Sequence, residues 1–96
     1  EDKMDDFKLY PNYPNPFSRT TVIIYHLKNE CHVKLSVYNI YGQKVAELLN
    51  ERQEAGLKRT VWDGLGQHGK ILSSGVYYYC LQTEEFKKTG KMVFIK

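Results

Sequence analysis

The chain has 96 residues, of which 42% are hydrophobic and 26% charged; this is one globular domain, since a disordered segment would carry fewer aromatics and more net charge. Its 14 Lys and Arg against 11 Asp and Glu leave a net charge of +3. That balance is too mild to indicate nucleic acid, and no glycine-aromatic RNA motif or recognition helix accompanies it. No apolar run reaches the ~18 residues a membrane-spanning helix needs, and no stretch of these residues reads as a signal peptide.

Residues Glu1 to Asp6 read as a polar linker, the remnant of a longer chain, and residues 7–96 as the domain. A short strand is expected near Lys8 to Tyr10. Pro14-Asn15-Pro16 then imposes an extended, poorly paired backbone that leads the chain into the fold. From Thr20 to Leu27 a strand is expected, with Thr21, Ile23, Tyr25 and Leu27 on one face and Val22, Ile24 and His26 on the other. The second face is unusually apolar for one that meets solvent. His32 to Asn39 has the cleanest alternation, with Val33, Leu35 and Val37 inward, and Ile40-Tyr41-Gly42-Gln43 turns after it.

Lys44 to Glu54 is ambiguous. Val45, Leu48, Leu49 and Arg52 have helical spacing, and Ala46 to Leu49 favour a helix, so helix and strand stay open on the residues alone. Leu57 to Trp62 reads as a strand with Thr60 and Trp62 on one face. The stretch Gly64-Leu65-Gly66-Gln67-His68-Gly69 reads as a flexible loop without phosphate-loop context or calcium ligands. Val76 to Gln82 is a strand rich in tyrosine, and Lys88 to Ile95 is the last. About seven short strands separated by turns predict an all-β, immunoglobulin-like antiparallel sandwich.

No catalytic constellation emerges. His26, His32 and His68 lack ligand spacing and read as surface or turn residues, and Cys31 and Cys80 are too few and too far apart for zinc. Ser73-Ser74 lacks a nucleophile's strained turn, and Asp5-Asp6 and Glu84-Glu85 are merely adjacent carboxylates. No enzyme activity, cofactor or metal is therefore expected. Lys87, Lys88, Lys91 and Lys96 read as lysines on a solvated edge strand that discourage pairing between sheets.

The blocks Pro14-Asn15-Pro16-Phe17, Thr20 to Leu27, His32 to Val45, Trp62-Asp63-Gly64, Ser74-Gly75-Val76-Tyr77-Tyr78-Tyr79 and Lys91 to Lys96 resemble, in order and spacing, the C-terminal sorting domain of proteins exported by the bacterial type IX system. The chain stops at a lysine after an apolar strand, as that family does. Asn39 stands where aspartate is common, Glu84-Glu85-Phe86 where glycines are usual, and Ile24 and Cys80 where polar or basic residues are frequent. The resemblance implies a strand over Lys44 to Glu54 and turns Trp62, Tyr77, Tyr79 and Leu81 inward.

It also implies a function. An N-terminal cargo would cross the inner membrane, and this domain would fold in the periplasm of a Gram-negative bacterium as a monomer. The outer-membrane export machinery would read it. A sortase would cut before it, and the cargo would be released or joined to a surface glycolipid. Pro14 to Phe17, Gly75, Val76, Tyr77, Lys91 and Lys96 would be the recognition residues, although a turn and a strand entry explain the first two blocks equally well. Loss of Lys91 to Lys96 is expected to abolish export. In an immunoglobulin-like order Cys31 would lie near Cys80, and a disulfide there would close a loop of about 50 residues and contribute ~3–4 kcal/mol; otherwise the two thiols do not meet. Two other readings are a structural module akin to the flagellar hook-capping domain, and a carbohydrate-binding module using Tyr38, Tyr41 and Tyr78.

Overall fold

The computed structural model describes residues 6–96, and the linker reading of the first five residues lies outside them. Seven strands form two antiparallel sheets: β1 (Lys8–Leu9), β2 (Thr21–Leu27), β3 (Cys31–Tyr38), β4 (Lys44–Gln53), β5 (Gly56–Trp62), β6 (Gly75–Gln82) and β7 (Lys87–Phe94). One sheet has the order β1-β2-β5 and the other β4-β3-β6-β7. This is the expected immunoglobulin-like sandwich, with β4 beside β3 in the larger sheet.

The alternation read from the sequence is the alternation of burial. Thr21, Ile23, Tyr25 and Leu27 of β2 and Val33, Leu35 and Val37 of β3 are fully buried between the sheets. Trp62, Tyr77, Tyr79 and Leu81 also point inward. A side chain such as Leu or Phe taken wholly from water stabilises by ~1.5–3 kcal/mol, so these residues carry the fold.

β4 explains its own ambiguity. Its pairing with β3 shifts between Leu35 and Ser36 and again between Val37 and Tyr38. Each shift inserts one extra residue, Leu48 and then Val45, as a β-bulge. Leu49 opposite Leu35 and Ala46 opposite Val37 thereby both face the core, although they are three residues apart. A twice-bulged strand thus reproduces the i, i+3 spacing of a helix.

Two expectations are corrected. The 64–69 stretch is an ordered loop. Trp62 Nε1 donates to Leu65 O at 3.0 Å, Gly66 N to Lys70 O at 2.7 Å and Leu72 N to Gly64 O at 3.2 Å. His26 is no surface histidine: it is 6% exposed, with Nδ1 in hydrogen-bond contact with Asp6 O at 2.5 Å.

Candidate recognition site

Residues 10–17 form a strap that changes sheets. Tyr10 N donates to Ile24 O, and Tyr13 exchanges two backbone bonds with Val22, so the strap begins along β2. It ends along β7: Phe17 N donates to Val93 O at 3.0 Å and Ile95 N to Phe17 O at 2.8 Å. Prolines suit the crossing, because Pro14 and Pro16 have no N–H to satisfy where the chain leaves one sheet for the other. Between them, Asn15 stands in for backbone. Its Oδ1 accepts from Val93 N at 2.9 Å and its Nδ2 donates to Lys91 O at 3.4 Å. The edge of the last strand is closed in this way from Lys91 to Ile95.

The crossing is anchored from inside. Tyr79, on β6, donates its hydroxyl to Tyr10 O at 3.0 Å and accepts from Asn12 N at 3.1 Å. Asn12 Nδ2 donates to Thr21 Oγ1 at 2.9 Å, and that hydroxyl donates to Pro14 O at 2.9 Å. Burial pushes the Tyr79 phenol above its usual pKa, because the phenolate would lose its hydration. The ring crosses β7 at Gly90, where a Cβ would stand 2.2 Å from Tyr79 Cζ. Glycine is required there by close approach. An isolated glycine inside a strand pattern is a signal of that kind, and it would have pointed to Gly90.

Blocks far apart in sequence meet at the ring of Phe94. Phe17 stacks on it with centroids 5.0 Å apart. Trp62 lies 6.3 Å and Tyr77 6.5 Å away, and Trp62 meets Tyr77 edge-on at 5.8 Å. Gly64 adds the far wall, since a Cβ there would touch Phe94 Cζ at 2.8 Å. Such aromatic pairs contribute ~0.5–1.5 kcal/mol beyond area burial.

The expected recognition residues therefore divide into two groups. Phe17 and Tyr77 are buried, and Tyr77 donates its hydroxyl to Ser73 O at 2.7 Å. Pro14, Asn15, Pro16, Lys91 and Lys96 are exposed, and Gly75 and Val76 are half-buried. Gly75 and Val76 pair with Phe94 and Val93, and Lys96 N donates to Ser74 Oγ at 2.8 Å. All these residues thus lie on or beside the C-terminal half of β7. Asn12, Thr21, Tyr79 and Gly90, which hold the arrangement, were not among the recognition residues expected from the sequence.

The disulfide is corrected. Both thiols are free. Cys31 shares the inward face of β3 with Val33, whereas Cys80 pairs with Ser36 on the outward face. Ser36 is five residues along β3 from Cys31, or roughly 16 Å at ~3.3 Å per residue, and a disulfide needs Cα atoms within ~7 Å. The antiparallel pairing of β3 with β6 is as expected; its register and faces keep the sulfurs apart. Burial raises the Cys31 thiol above its usual pKa.

Among the described residues, no group of three or more His, Cys, Asp or Glu is placed to hold a metal ion. The family model of the CHU_C type IX secretion signal domain matches residues 11–96. Two solved structures from Porphyromonas gingivalis have a similar fold. PorZ, an essential surface component of the type IX secretion system, has a TM-score of 0.62 at 19% identity over 92% of this chain and 11% of its own. Dimeric latent PorU has a TM-score of 0.67 at 17% identity over 94% of this chain and 9% of its own. The chain thus spans about a tenth of either protein. No curated protein matches it.

Proposed function

This chain belongs to the type IX secretion signal domain family, and from that premise we propose that its address is read at the strapped end of the sandwich. The surface offered there comprises Pro14, Asn15 and Pro16, the outward side of Val93, and Lys91, Ile95 and Lys96. The convergence of the strap with the last strand carries this reading. It turns residues 15 and 93 into one surface, so the signal exists only when the domain is folded. A cargo on its N-terminal side is carried through the periplasm and across the outer membrane to the surface or the medium. The domain itself supplies shape and contacts, not chemistry.

The strapped edge also changes the kind of contact required. Its backbone groups at Val93 and Ile95 are already bonded, so a partner reads side chains and the rim of the strap rather than adding a strand there. Removing Lys91 to Lys96 is a poor test. Met92 is fully buried and Phe94 is 3% exposed, so the truncation unfolds the core along with the address. Ile95→Asp and Lys96→Glu alter exposed positions instead.

The test fuses the domain to a folded reporter with a periplasmic signal, in a strain with a working type IX system and in its export-null twin. Reporter outside the cell only in the working strain, with export at least halved by Ile95→Asp and Lys96→Glu in domains of unchanged melting temperature, supports the proposal. Full export of the double variant would remove the strapped end as the surface that is read.

A further inference from the structure

The outward face of the four-stranded sheet is laid out in rows that run across the strands. Cross-strand pairing places Asn50, Lys34, Gln82 and Lys87 in one row, Glu47, Ser36, Cys80 and Thr89 in the next, and Lys44, Tyr38, Tyr78 and Lys91 in the third. Neighbouring rows are two residues apart, so the outer rows stand roughly 13 Å apart at ~3.3 Å per residue. Long side chains thus flank a middle row of short ones on β3, β6 and β7. The result is a trough, and it explains why Ser36 and Cys80 are 1% and 8% exposed although they point away from the core. A depression of about 410 Å³ lies in it, lined by Tyr38, Tyr78, Cys80, Lys87 and Thr89 together with the β3–β4 turn.

The chemistry of the trough is one-sided. Its rows hold Lys34, Lys44, Lys87 and Lys91 against the single carboxylate of Glu47, which already binds Lys44 at 3.0 Å. Lys34, Lys87 and Lys91 have no ion pair among the described residues. Tyr38 and Tyr78 are direct cross-strand partners, both half-buried. On the floor, the buried Ser36 Oγ has no hydrogen-bond partner among the described residues.

We infer that this trough binds an acidic polysaccharide, a chain of uronic-acid sugars. A pyranose ring presents a face of C–H bonds that packs on an aromatic ring and leaves its hydroxyls at the rim. Two neighbouring tyrosines give such a chain two places to sit. Lys87 and Lys91 meet its carboxylates, a contact the lone paired acid does not oppose. An acidic protein loop would use the lysines but has no need of the tyrosine pair. This inference goes beyond the export reading and does not depend on it.

The test titrates the ¹⁵N-labelled 96-residue chain with a galacturonic-acid oligosaccharide, with a neutral galactose oligosaccharide and with polyglutamate. Shifts confined to the three rows, with the uronate bound at least about tenfold tighter than either control, support the site. Tyr78→Ala and Lys87→Glu should each weaken it about tenfold, while Tyr78→Phe keeps the ring and the binding. Lys58→Glu on the other sheet should leave binding unchanged. Absence of uronate binding, equal binding of polyglutamate, or full binding by a folded Tyr78→Ala domain would overturn the inference; if Tyr78→Ala does not fold, the Lys87→Glu and polyglutamate results decide it.

Discussion

The two long flanks of the sandwich are finished in different ways. On one flank the edge of β7 is closed by the strap, with backbone bonds from Phe17 and a side-chain substitute from Asn15. On the other, β4 and β5 end their sheets, with no strand beyond them among the described residues. β4 carries two bulges and a charged run, and β5 carries Lys58 and Arg59. An open edge with bulges and charges resists pairing with another chain by shape and desolvation. The closed flank is specific, since it needs particular residues from distant parts of the chain. The open flank is protected by its general character, which many sequences would supply.

This contrast has measurable consequences. The largest concerns the ring shared by the distant blocks. Phe94→Ala empties the space between Phe17, Trp62, Tyr77 and Gly64 and should cost ~3–5 kcal/mol, read by urea unfolding. Next is Gly90→Ala, whose methyl would occupy the place of the Tyr79 ring; overpacking of this kind costs ~1–3 kcal/mol, and amide exchange should rise at Asn12 as its bond to Tyr79 fails. Asn15→Ala removes the two contacts that close β7 beside Lys91 and should cost ~1 kcal/mol, a fall in melting temperature of ~4–8 °C for a domain this size. Smallest are Leu57→Gln and Val61→Thr on the open flank. These residues are 64% and 56% exposed, and each change should stay within ~0.5 kcal/mol. A cost at β5 equal to that at Asn15 would erase the distinction between the flanks.

Much of the fold was legible, because burial in a half-exposed strand repeats every two residues and the sequence displays that period directly. β2 and β3 keep it without interruption. β4 does not, since each bulge changes the parity of the residues after it, and a local pattern cannot distinguish a changed parity from a helical turn. The residues expected to be recognised were read as blocks, and their division into core and surface was not legible in those blocks. Phe17 and Asn15 stand two positions apart in one block, yet one fills the aromatic cluster and the other lines the strand edge. Cys31 and Cys80 failed as a pair for a related reason. Strand order brings the neighbourhoods together, but register decides the faces.

The sequence by itself therefore determined the regularly alternating strands such as β2 and β3, their inward faces and the turns beside them, since these depend on neighbours within a few residues; it left β4 open between helix and strand. Tertiary structure alone decided which edges would be closed, where Tyr79 would cross Gly90, and which faces the two cysteines would occupy. Those outcomes rest on contacts such as Asn15 with Val93, 78 residues apart. A contact over that distance forms only after both sheets are in place, so no local pattern of side chains records it.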